Sequence, residues 1–264
     1  MAIVTLLTDF GHRDPYVGIV KGVILRVAGQ SVDLVDLCHS VPPQDVETAS
    51  FFLERSWSWF PEGTLHLVVV DPGVGSGRDV LLLEASGHLF LAPDNGLLDS
   101  LARLPGARLA RVVPERVQLA TPSATFHGRD IFAPTVGRLI SGARPEDLTE
   151  PLDPSGTSPG ALQPLPEPRR NGTVRLVDHF GNLVTDLEDT LPGLEPGACR
   201  IRVEGRSLLL ARTFSDVPVG EPLAFIGSYG LVEIAVRDGS AAELMGLGRG
   251  AAVEIEDGPG RASD

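Results

Sequence analysis

Three short segments join a carboxylate or an amide to glycine: Thr8-Asp9-Phe10-Gly11, Asp71-Pro72-Gly73-Val74-Gly75 and Pro93-Asp94-Asn95-Gly96. Glycine permits close approach of backbone to a ligand, and Asp and Asn supply hydrogen-bonding groups for it. Any one of them reads equally well as a turn. All three follow strand-like runs, and together they point to a binding crevice. Arg78 lies on the same Gly-rich loop as Asp71, so the two can pair without long-range folding. An Arg beside a carboxylate favours its ionised form, although a loop-stabilising ion pair has the same spacing. His127, in Thr125-Phe126-His127-Gly128-Arg129-Asp130, has charged and glycine neighbours that suit a cleft better than a core. A structural histidine is the plain alternative.

Other motifs fail on context. Asp9-Phe10-Gly11 matches the metal-binding triplet of kinases, but no Gly-rich nucleotide loop or catalytic-loop signature accompanies it. Gly73-Val74-Gly75 lacks the third glycine of a dinucleotide fingerprint. Asp9, Asp71, Asp94 and His127 contain no ligand pair at i, i+3 or i+4, so no metal is expected.

The elements that must position these groups follow from hydropathy patterning. Residues 2–7, 32–37 and 64–70 are apolar runs of strand type, the first and third ending at Thr8-Asp9 and Asp71. Residues 16–27 and 45–57 carry apolar side chains at helical spacing, the former stopped near Gly29, and 131–141 reads as a further helix. Residues 80–84 and 88–92 flank Ser86-Gly87 as a hairpin. Strands alternating with helices predict an α/β N-terminal domain with a largely parallel sheet over 1–155, whose ligands favour the crevice beyond the carboxyl ends of the strands. Residues 156–171 have the Pro-rich composition of a linker. Short strand-like runs at 173–177, 200–203, 207–211, 223–226, 231–236 and 251–255 predict a small all-β, barrel-like C-terminal domain over 172–257. A frayed tail is expected from 258 onward.

Bulk composition narrows the partners. With 264 residues, 42% of them hydrophobic and 22% charged, the chain is ordinary globular material. A formal net charge of -13 argues against nucleic acid and anionic membranes and suits a cationic ligand. Cys38 and Cys199 stand too far apart for a zinc pattern and are expected as free thiols. No apolar run reaches the roughly 20 residues of a membrane span, and no signal-peptide pattern opens the chain. A cytoplasmic location is expected.

The motifs also occur in a familiar order. Thr8-Asp9-Phe10-Gly11 with Asp14 and Tyr16, Cys38-His39, the Asp71 and Asn95 segments, Phe126-His127-Gly128-Arg129-Asp130, Asp178-His179-Phe180-Gly181-Asn182 and Gly239-Ser240-Ala241-Ala242 resemble the S-adenosylmethionine hydroxide adenosyltransferase family, related to fluorinases and chlorinases. The likeness runs from the first strand to about residue 256. It implies a two-domain homotrimer with each active site between subunits. It also implies hydrolysis of S-adenosylmethionine, as substrate with no cofactor, to adenosine and methionine by attack at C5′. Asp71, Arg78 and His127 match the family's catalytic triad. Methionine leaves as a neutral thioether, so the reaction needs a positioned, deprotonated water and no general acid. Either Asp71 or His127 takes the proton, with Arg78 fixing Asp71 and stabilising developing hydroxide.

The resemblance assigns Asp9 to the ribose hydroxyls, Asn182 to the adenine edge, Phe180 to the adenine ring, and backbone near Ala241 to further adenine contacts. Asp178 and Ser228 are assigned to the methionine amino and carboxylate groups. Tyr16, Asn95, Tyr229 and Ser240 complete the expected substrate-binding set. Tyr229 stands where the halogenases place an Arg. A halogenase of the same superfamily and a non-catalytic adenosine or S-adenosylmethionine binder are the competing readings.

Overall fold

β1 (Ala2–Thr8) is apolar almost throughout, and Val4, Leu6 and Leu7 are wholly buried. Such a strand needs cover on both faces, which parallel sheets obtain from crossover helices. In a computed structural model, which describes residues 2–119, 122–152 and 169–257, it receives that cover. α1 (Tyr16–Ala28) follows β1, closes on Gly29, and returns the chain to β2 (Val32–Cys38), parallel to β1. α2 (Val46–Ser56) begins on Asp45, whose side chain accepts the Thr48 N–H, and leads into β3 (Leu65–Val69) on the other side of β1. Val4 and Leu6 pack with Val20, Ile24 and Val136, while Leu7 and Val68 pack with Ala49 and Leu53, so helices cover both faces.

β4 (Val80–Ala85) and β5 (His88–Pro93) form the expected hairpin about Ser86 and Gly87, both with positive φ. β6 (Arg108–Val112) and β7 (Thr149–Pro151) extend the sheet beside β4, with α3 (Pro114–Val117), α4 (Ala133–Ile140) and α5 (Pro145–Leu148) between them in sequence. The order is β2-β1-β3-β5-β4-β6-β7, and five of the seven strands run the same way. Patterning does not reveal β6, whose two arginines interrupt the apolar run, or β7, which is three residues long.

The chain divides into two compact units, Met1–Gln163 and Pro164–Asp264. Residues 156–168 of the expected linker and the expected tail from 258 lie outside the described residues. The second unit is all antiparallel: β8 (Asn171–Val177), β9 (Leu183–Glu188), β10 (Cys199–Val203), β11 (Arg206–Leu209), β12 (Pro222–Ile226), β13 (Leu231–Val236) and β14 (Ala252–Asp257). They run in the order β11-β10-β14-β8-β9-β13-β12. A bridge between Leu210 and Ala224 joins the two ends, so the sheet curls into a nearly closed barrel. Its core holds Val174, Leu183, Ile201, Val232 and Ile255, with the short helix α6 (Ala241–Met245) against it. β9 escapes a periodicity reading because Thr185 and Asp186 break its apolar pattern.

The contact between α1 and α4 is unusually close. A Cβ on Gly137 would lie 2.6 Å from Val27 Cβ and 2.8 Å from its Cγ1. Gly137→Val should therefore destabilise the first unit by about 1–3 kcal/mol. A lower urea midpoint at unchanged slope is the expected readout; an unshifted midpoint would show that the helices do not meet there.

Candidate active site

The chain leaves β3 at Val70 and turns sharply. Val74 N–H donates to Asp71 O and Ser76 N–H to Gly73 O. That reversal brings Arg78 back over Asp71. Arg78 Nε donates to Asp71 Oδ1 at 2.7 Å, and its Nη2 donates to Oδ2, giving a bidentate pair. Both side chains are buried, at 9% and 6% exposure. Planar fork-to-carboxylate pairing fixes orientation as well as charge. The guanidinium also lies 5.6 Å over the Phe132 ring, and its Nη1 donates to Asp79 O.

His127 also contacts this pair, through the same Arg78 nitrogen that reaches Asp71 Oδ2. Its Nδ1 stands 3.2 Å from Arg78 Nη2. Arg has no acceptor, so Nδ1 must accept and the imidazole proton resides on Nε2. His127 opens a π-helical turn, Gly128–Phe132, just before α4, and such turns often accompany functional sites. Buried Asp130 braces the segment by accepting Ser123 N–H and both Arg129 donors. Gly75 lets the Asp71 loop pack against the same segment, since any Cβ there would lie 2.6 Å from Ala124 O. Burial first, and Arg78 second, push the His127 imidazole below its usual range, against Asp71 and Asp130.

Asp9, beyond β1, accepts Gln44 N–H through Oδ2 and is half-buried. The turn that carries it is tied to His39. Thr8 Oγ1 accepts Phe10 N–H and lies 2.8 Å from His39 Nδ1, while Gly11 N–H donates to His39 O. Phe10, Tyr16 and Phe126 contact one another ring to ring at 5.2–6.0 Å, linking the Asp9 turn to the segment of His127. Asn95 Nδ2 donates to Val70 O, directly beneath Asp71. The expected residues of the first unit thus gather at the carboxyl ends of its parallel strands.

Those of the second unit form their own group. Asp178 Oδ1 accepts the N–H groups of Phe180 and Asn182, and its Oδ2 accepts Asn182 Nδ2. Phe180 stands 74% exposed, a large ring presented to its surroundings. Ser240 caps α6 by accepting Glu243 N–H, Ala241 is buried, and Ala242 N–H donates to Gly181 O, which docks the α6 start onto the Asp178–Asn182 turn. Ser228 and Tyr229 occupy the tight turn between β12 and β13, closed by Gly230 N–H to Gly227 O. Both are exposed. Glu233, which motif reading passes over, is buried behind that turn. A lone carboxylate in the apolar run Leu231–Val236 is the signal that marks it.

Comparison with known proteins matches both units. Residues 4–149 match the SAM hydroxide adenosyltransferase N-terminal domain and residues 172–254 match the corresponding C-terminal domain. The (R)-S-adenosyl-L-methionine hydrolase of Thermus thermophilus is 41% identical over 97% of this chain and 100% of its own length. That of Salinispora tropica is 39% identical over 97% and 98%. The fluorinase of Actinopolyspora mzabensis is more distant, at 28%. The crystal structure of an uncharacterized conserved protein from Thermotoga maritima superimposes with a TM-score of 0.86 at 34% identity, covering 96% of this chain and 99% of that one. Together the two matches cover both units of the fold and define a SAM-handling class. This chain belongs to the SAM hydroxide adenosyltransferase family.

His127 offers a direct check on the geometry. Its imidazole should titrate below the ordinary value of about 6.5. Arg78→Gln removes a lowering charge and leaves the raising charge of Asp71, so the titration should move upward. Histidine NMR shifts against pH measure both. A wild-type His127 titrating above the ordinary value would show that the carboxylates outweigh burial and Arg78 there, against the expectation.

Proposed function

We infer that this chain hydrolyses S-adenosyl-L-methionine to adenosine and L-methionine. The observation that carries the reading is the buried Asp71–Arg78 pair with His127 on its guanidinium. Hydrolase relatives spanning nearly the whole chain support it. Their name specifies the (R) compound, and we assign the same sulfonium epimer as substrate here.

The proposed chemistry follows from the tautomer. His127 presents Nε2–H, a donor that holds the oxygen of the attacking water in line with C5′. Asp71 is then the proton acceptor, using lone pairs that Arg78 leaves open. The water oxygen bonds to C5′, the C5′–S bond breaks with its electron pair on sulfur, and the proton passes to Asp71 and on to solvent. Sulfur goes from sulfonium to neutral thioether, so no acid is required. Arg78 remains charged throughout and stabilises the developing hydroxide. A carboxylate beside the attack position repels halide and accepts the proton of water, which favours hydrolysis over halogenation.

Asp9 with Tyr16 and Asn95 serves the ribose side in this reading. Phe180, Asn182, Ser240 and Ala241 serve adenine, and Asp178, Ser228 and Tyr229 serve the methionine end. The enzyme uses no cofactor, assembles as a homotrimer with sites between subunits, and works in the cytoplasm. Among the described residues, no helix is long and apolar enough to cross a membrane.

Product analysis tests the reading. Incubation with S-adenosyl-L-methionine should release adenosine and methionine in equal amounts, with or without chloride; a 5′-chloro product would overturn it. Asp71→Asn keeps the shape of the Arg78 partner and removes its basicity. It should lower kcat by about 10²–10⁴-fold while substrate affinity, read by calorimetry, changes little. Undiminished turnover in that variant would exclude Asp71 as the proton acceptor.

A further inference from the structure

Glu233 is the least explained charge in the second unit. It lies on β13 with buried Val232 and Ile234 on either side, and pairs across the sheet with Phe225 and Val184. Only 6% of it is exposed. Burying a carboxylate among apolar strands is unfavourable unless something compensates the charge. Among the described residues nothing does: no N–H or O–H donates to it, and no cation pairs with it. Burial first, and the neighbouring charge of Asp178 second, push its carboxyl up to about 7.

Its position is specific. A Cβ on Gly227 would overlap Glu233 Oε1, so the carboxyl is packed directly over the backbone of the β12–β13 turn that presents Ser228 and Tyr229. Burial first, and the Glu233 charge second, raise the Tyr229 phenol, and Glu233 in turn feels the charge of Asp178. These two residues and Ser228 are the ones assigned to the methionine end of the substrate. Asp178 differs from Glu233 in one respect that matters. Three N–H groups of its own turn already occupy its carboxylate. Asp178 is satisfied, and Glu233 is not.

We propose that Glu233 is a specificity-determining residue that accepts the α-ammonium group of the substrate's methionine moiety, closing a site whose walls are Asp178 and the Ser228–Tyr229 turn. This rests on S-adenosyl-L-methionine being the substrate. An ammonium is a monocation with three donors. It supplies the missing hydrogen bond to Glu233 and relieves the repulsion between two neighbouring carboxylates. Glu233 touches no reacting atom, so its contribution falls on substrate binding.

The test compares S-adenosyl-L-methionine with the deamino analogue that lacks only the α-amino group. Glu233→Gln, nearly the same shape without the charge, should raise KM for the natural substrate by about 10–100-fold, the range of one charge-assisted hydrogen bond. Its kcat should stay within about threefold, since the reacting atoms lie elsewhere. The variant should treat the deamino analogue as wild type does. An unchanged KM for the natural substrate, or equal losses on both compounds, would overturn the proposal. Glu233→Asp, which keeps the charge and withdraws it by a methylene, provides the same comparison if the Gln variant does not fold. A wild-type protein that released no adenosine would sink the hydrolase reading alone. Affinity for L-methionine against its deamino counterpart, by calorimetry, would still decide Glu233.

Discussion

The bidentate contact between Asp71 and Arg78 is the constraint around which the first unit is arranged. Two opposite charges removed from water must satisfy each other almost completely, because the interior offers little else. The loop therefore reverses within a few residues, and Gly75 is required where its backbone meets that of Ala124. Phe132 covers the guanidinium, Asn95 anchors the strand end below, and His127 accepts a further N–H. Breaking such a pair from one side costs about 3–5 kcal/mol, which favours a single geometry of the loop. Preorganisation of this kind is what an attack by water requires.

Much of this was legible from residue order. The strand ends carrying Asp9 and Asp71, the Ser86-Gly87 hairpin and the stop at Gly29 each follow from short-range chemistry that the sequence displays directly. Pairing of Asp71 with Arg78 was open to inspection because both lie on one loop. His127 was different: its approach to Arg78 depends on α4 docking against α1, a long-range event that no local pattern encodes. β6 and β9 were hidden for a related reason, since polar side chains on strands paired from both sides look like loop residues until their partners are known. The imidazole tautomer, too, is a property of contact and not of sequence.

The second unit follows another logic. Its strands are short, its sheet curls upon itself, and what it offers a ligand comes from turns and not from strand ends. Asp178 organises one turn by folding its neighbours' N–H groups inward, and α6 starts from that turn. Glu233 reaches the next turn from beneath. On the proposed assignment, the residues of the first unit act on the reacting bond and those of the second recognise the rest of the substrate.

That separation bears on how such a protein diversifies. The turn between β12 and β13 is four residues long, from Gly227 to Gly230, and links two strands of a nearly closed barrel. If Ser228 and Tyr229 hold the methionine end as proposed, drift at this exposed turn would retune the group attached to sulfur and leave the Asp71–Arg78 pair unaltered. On that assignment, a lineage would acquire new sulfonium preferences by altering one hairpin tip, and its inherited reaction would travel with it.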